Sequence, residues 1–198
     1  MNNWHRNYFI FLLFLAIVSP KFGKNIVQYD KLDWHFIQTK NFDIYYYNAS
    51  KDHAEFAGYT AEIAAKKIEN LLGWKLSKRS DIFVYNSHND FQQTNVVNMY
   101  MSEGIGGVTE SMKNRMVIPY DGSAIEFKEV IYHELIHVFI NNGIYGGLQG
   151  LSNSVYIPKW MNEGLAEYIA STWDTKSDMW VRDLAINFNS LPDIKSLN

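Results

Sequence analysis

Between Asn41 and Pro119 the apolar positions fall mostly in short runs, and from Ser123 onward they recur at helical spacing. Asn41 to Tyr47 (NFDIYYY) is aromatic and β-branched, which predicts a strand. Asp52 to Leu72 then predicts a helix. Phe56, Tyr59, Ile63, Ile68, Leu71 and Leu72 recur on its apolar side, and Gly73 stops it. Asp81 to Tyr85 (DIFVY) reads as a second strand, and Asn86 to Gln93 as a loop or short helix. Gly104 to Val108 leads into Thr109, and Arg115 to Pro119 (RMVIP) follows after a polar turn; the pair predicts a hairpin with Asn114 in its turn.

Ser123 to Asn142 is the best-defined helix. Ser123-Ala124-Ile125-Glu126 forms a capping box at its start, and Gly143 stands where a left-handed C-cap would fall. A further helix is expected from Pro158, a favoured first-turn proline, to about Ser171, and another from Ser177 to Phe188. The loop between, Asn142 to Ile157, holds Gly143, Gly146, Gly147 and Gly150, and suits either a lid over a cleft or a simple connector. Strands first and helices last give an α+β layout.

The 198 residues suffice for one domain with a core, and 47% hydrophobic content is too apolar for a disordered chain. A net charge of −3 leaves no electrostatic footprint for nucleic acid. The absence of cysteine excludes disulfides, cysteine metal sites, a thiol nucleophile and a lipoprotein anchor. Met1 to Tyr8 is polar and carries Arg6, Phe9 to Val18 is unbroken apolar sequence, and Ser19-Pro20 ends it. That is the layout of a secretory signal, too short to span a bilayer comfortably. Residues 1–23 are therefore expected to be a signal segment and 24–198 the domain, in a secreted or periplasmic protein with no other membrane contact.

Inside the best helix lies His133-Glu134-Leu135-Ile136-His137, an H-E-x-x-H motif. Residues four apart sit one above the other on a helix face, so both imidazoles can reach one ion at about 2.0–2.1 Å. Glu134 is rotated off that axis; it can reach a metal-bound water and take its proton during attack on a carbonyl. The following helix places Glu163 and Glu167 four apart on one face, with Leu165 and Ile169 opposite. Two carboxylates there are costly unless solvated, paired or metal-bound. Catalytic zinc takes three protein ligands and leaves one position for water, and His₂Glu is one such set.

The two segments together resemble the gluzincin, thermolysin-like metallopeptidases. Pro158 to Tyr168 (PKWMNEGLAEY) is similar to the peptidase MA-like domains of secreted bacterial proteins, some of which carry a β-propeller after the peptidase domain. The resemblance spans roughly Asn41 to Ser171. It implies a zincin-like α+β fold: an N-terminal twisted mixed sheet with helices, the H-E-x-x-H helix and a following glutamate helix. It implies one Zn²⁺ per chain on His133, His137 and Glu163, with Glu134 as general base and Glu167 orienting a liganding histidine. It further implies a peptide or protein substrate lying along an edge strand at Gly106, Gly107 and Val108, where main-chain bonds can add a strand.

One feature departs from the family. Gluzincins supply a His or Tyr beyond the glutamate helix for the oxyanion, and this chain has no His after His137 and no Tyr after Tyr168. Arg182, Tyr156 and Tyr145 are the candidate donors. The expectation is a zinc peptidase whose natural chain continues past Asn198; the alternative is a weak or inactive zinc-binding module of a larger, propeller-containing secreted protein.

Overall fold

A computed structural model describes residues 28–48, 50–96, 101–110, 113–144, 157–171 and 173–188, with the single positions 191, 193 and 196. The signal segment, and Tyr145 and Tyr156 in the glycine-rich loop, lie outside the described residues.

Alternation along the strands builds a sheet with two different faces. The strands are β1 (Trp34–Gln38), β2 (Phe42–Tyr47), β3 (Ser80–Tyr85), β4 (Val108–Glu110) and β5 (Arg115–Pro119), in the order β1-β2-β3-β5-β4. β2, β3 and β5 run parallel, while β1 and β4 are antiparallel edges. Phe42, Ile44, Ile82, Val84, Met116 and Ile118 face the helices. Tyr47, Tyr85 and Val117 face the other way and pack with Phe91 and Met101. Trp34 sits edge-on against Tyr47 and Tyr85 at centroid distances of 5.0 and 5.3 Å. β1 is absent from the sequence expectation because the alternation of WHFIQ lasts only three residues, Trp34 to Phe36, before Ile37 breaks it.

The helices are α1 (Lys51–Leu72), the single-turn α2 (His88–Phe91), α3 (Ala124–Gly143), α4 (Lys159–Ala170) and α5 (Thr175–Ile186). α1 links the parallel strands β2 and β3 as a crossover, so helix and strand alternate in the first half and helices alone follow β5. Gly73 ends α1 in the left-handed conformation, φ 70°, and donates to Glu69 O at 2.9 Å. Ser123 Oγ accepts from Glu126 N at 3.3 Å at the start of α3. Asp174 does the same for Ser177 N at 2.7 Å and starts α5 two residues before the expected position.

Three details differ from the sequence pattern. Of the large residues expected on the buried face of α1, Ile68 is buried and Leu72 packs against the core, but Phe56, Tyr59, Ile63 and Leu71 are exposed, and the face is mostly Ala54, Ala57, Ala61, Ala64 and Ala65. Small side chains let α1 lie close to both β2 and α3, and a Cβ on Gly58 would stand 2.9 Å from Thr39 Cγ2. Gly143 is not a left-handed cap: α3 continues through it and stops at Ile144 with φ −98°. The Trp74 ring lies where its Cβ would be, 2.9 Å away, so the glycine serves packing. Pro158 stands just outside α4 as its N-cap, with ψ 144°.

The small-residue face of α1 has a measurable consequence. Ala61→Leu overpacks the α1–α3 contact and is expected to cost about 1–3 kcal/mol, whereas Tyr59→Ala, at an exposed position, stays within about 0.5 kcal/mol. Urea denaturation checks the order; equal costs would mean that the large residues contribute to the core after all.

Candidate metal centre and its cleft

α3 is buried over most of its circumference, with Phe127, Ile131, Leu135, Ile136, Val138 and Phe139 in the core. Its remaining stripe, Glu126, Val130, His133, Glu134, His137 and Asn141, lines a cleft of about 930 Å³. α4 forms another wall with Asn162, Glu163 and Glu167, anchored by buried Ala166 and Ile169. Leu165, expected opposite the two carboxylates, is partly buried and packs against the core. Lys67 of α1 donates to Ile169 O at 3.0 Å, a cation at the carbonyl end of α4 where the helix dipole favours it. The lead-in to β4, Gly104 to Thr109, closes the cleft from the sheet edge.

His133 Nε2 and His137 Nε2 both point at Glu163 Oε2, at 3.5 and 3.6 Å. Ligand atoms of the three residues all lie within 4.8 Å of one another. Ligands of a tetrahedral ion at about 2.0–2.1 Å stand about 3.3 Å apart, so the donor set fits such an ion. The second nitrogen of each ring is directed at α4. His137 Nδ1 lies 3.3 Å from Asn162 Oδ1, and His133 Nδ1 lies 3.7 Å from Glu167 Oε2. A protonated Nδ1 on His137 donating to Asn162 leaves its Nε2 lone pair free for an ion, and the Glu167 carboxylate stands near the corresponding nitrogen of His133 without a hydrogen bond. Asn162 carries no sequence signal of its own beyond preceding Glu163.

Glu134 is 7% exposed although it carries a carboxyl group. Thr109 Oγ1 lies 2.7 Å from Glu134 Oε2 and 3.1 Å from Glu134 O. Burial pushes the Glu134 carboxyl above its ordinary range; the Thr109 hydrogen bond and the charges of His137 and His133 act in the opposite direction without cancelling it.

The structure brings His133, Glu134, His137, Glu163, Glu167, Gly106, Gly107 and Val108 to one cleft. It does not bring Arg182 there. Arg182 is on α5, paired with Asp178 one turn away, and lines a separate depression with Thr175 and Met179. No residue of α5 is buried, so the helical periodicity that placed Arg182 does not aim it at the cleft. The expected strand Gly104 to Val108 also shifts: pairing begins at Val108, and Gly104 to Gly107 run unpaired past α3.

A family model of the Peptidase MA superfamily matches residues 60–198. The chain therefore belongs to the Peptidase MA superfamily, in agreement with the resemblance carried by its two helical motifs. A search of curated proteins finds no match.

The environment of Glu134 predicts a pH dependence of stability in metal-free protein. A carboxyl raised in the folded state binds its proton more tightly there than when unfolded. Its contribution is most favourable below about pH 4.5, the ordinary value, and is lost as pH rises through the folded-state value. Metal-free Glu134→Gln is therefore expected to be more stable than metal-free wild type at pH 7, with the gap closing toward pH 4.5. Denaturant titrations at both pH values check it; a gap that widens on acidification contradicts the assignment.

Proposed function

With membership of the Peptidase MA superfamily as premise, we propose that the chain is a zinc-dependent peptidase in which His133, His137 and Glu163 hold the ion and Glu134 is the general base. The observation that carries this reading is the convergence of two imidazole Nε2 atoms and one carboxylate oxygen beside a buried carboxyl group, all open to one cleft. Bound there, zinc supplies Lewis acidity, polarising a peptide carbonyl and acidifying water.

The protein's own groups do the rest. Glu134 takes a proton from the attacking water and returns it to the leaving amine, so the base ends each cycle ionised. Burial raises its proton affinity in the metal-free protein. Asn162 and Glu167 keep the two rings turned toward the ion. The β4 edge, with Gly106, Gly107 and Val108 on the cleft, offers main-chain groups to an extended peptide. The substrate is thus a peptide or protein segment threaded between β4 and α4. The polar start and apolar run of Met1 to Val18 support a secreted or periplasmic location. Among the described residues no helix is long and apolar enough to cross a membrane.

A second reading, a zinc-holding module without turnover, is favoured by one observation. The described residues lining the cleft include no Tyr, no Arg and no histidine beyond His133 and His137 to meet an oxyanion. Turnover separates the two readings.

Protein purified without added metal should contain about one equivalent of zinc by elemental analysis. His133→Ala should abolish it. In a zinc competition titration, Glu163→Ala should weaken binding more than Glu167→Ala, whose loss as an orienting group is expected at about 10–100-fold; the opposite order would exchange the two carboxylates.

Glu134→Gln should keep the zinc and lower peptide hydrolysis by about 10²–10⁴-fold. A mutant that cleaves a peptide library as fast as wild type would remove Glu134 from the reaction. A wild-type protein that holds zinc and cleaves nothing would favour the module.

A further inference from the structure

Gly107 and Thr109 alternate with Val108 along the start of β4. Thr109 pairs with Met116 of β5, whose side chain is in the core on the helix side, and Val108 pairs with Val117, on the opposite face. Positions 107 and 109 therefore share the face turned to α3. Both meet the same side chain. A Cβ at Gly107 would stand 2.9 Å from Glu134 Cγ and 2.9 Å from Val130 Cγ1, and the Thr109 hydroxyl lies 2.7 Å from Glu134 Oε2. The strand touches the stem of Glu134 at one residue and its head at the next residue on that face.

On the peptidase reading of the cleft, we propose that Thr109 is the positioning residue for Glu134, its hydroxyl holding Oε2 so that Oε1 is the oxygen that exchanges protons with water and the leaving amine. A glutamate has three rotatable side-chain bonds, and its aliphatic stem alone does not fix which oxygen faces the cleft. The hydroxyl fixes it. A hydroxyl has a single proton to donate, and the shorter contact, to Oε2, is the one it serves. Gly107 is what allows this approach, because any side chain there would push the strand off Glu134 and lengthen the Thr109 bond. β4 is also the cleft edge proposed to receive the peptide. The same strand thus sets the height of the substrate backbone and the angle of the base.

Thr109→Val removes the hydroxyl at nearly constant shape, and Thr109→Ser keeps it. The experiment compares zinc content, kcat and KM of both variants on a cleaved peptide, together with crystal structures of the zinc-loaded proteins. Thr109→Val should retain its zinc and its KM within about threefold while kcat falls by about 10–100-fold, the range seen when an orienting partner is lost. Its Glu134 side chain should leave the wild-type rotamer. Thr109→Ser should recover most of kcat and the rotamer. A Thr109→Val enzyme with kcat within twofold of wild type, or a Thr109→Ser enzyme as slow as Thr109→Val, overturns the proposal. If the wild type cleaves no peptide, the peptidase reading fails on its own. The positioning role is then decided by the rotamer: Glu134 unmoved in Thr109→Val overturns it, and Glu134 displaced in Val but not in Ser upholds it.

Discussion

Burying a charged or polar group is affordable only if something answers it, and α3 places two imidazoles and a carboxyl group among Ile131, Leu135, Ile136, Val138 and Phe139, the part of the helix that is core. Every element around the cleft can be read as an answer to that cost. β4 contributes the hydroxyl that meets Glu134. α4 contributes Asn162 and Glu167 to the outer nitrogens of the rings and Glu163 to the inner ones. α4 is in turn held by Ala166 and Ile169 against the core and by Lys67 from α1 at its carbonyl end. The sheet and α1 fix where α3 lies; α3 then dictates which chemistry its neighbours must carry.

How much of this is legible in the amino-acid order depends on range. His133, Glu134 and His137 stand together because they lie on one helix, and a five-residue motif is enough to see it. Glu163 and Glu167 are visible as a pair for the same reason, but their separate placements, one carboxylate between the two Nε2 atoms and the other near a Nδ1, depend on how α4 lies across α3. Thr109 is twenty-five residues from Glu134 in sequence, on a three-residue strand, and nothing near it in the chain marks it. The hairpin and the turn at Asn114, with φ 54°, are legible as local structure; the contact of β4 with Glu134 is tertiary.

The misreadings have the same origin. Most of the large apolar residues expected on the buried face of α1 are exposed, and apart from Ile68 and Thr60 the buried positions are alanine and glycine. Gly143 follows the expected helix end at Asn142, the usual place for a left-handed cap, but lies within α3 and makes room for the Trp74 ring. Arg182 has the right charge for an oxyanion and a helix to carry it, but α5 contributes nothing to the core that would orient it. In each case periodicity identifies the element correctly and leaves its partner undetermined.

The arrangement also separates two tasks that sit on adjacent residues. His133 and His137 are oriented from α4, and Glu134 is oriented from β4, so the side chains diverge from one helix toward opposite walls of the cleft. On the proposed function, the substrate edge and the base would be coupled through β4, and the ion's ligands would be coupled to α4 and, through Lys67, to α1. A shift of β4 would disturb the base without moving the ion's ligands, and a shift of α4 would do the reverse.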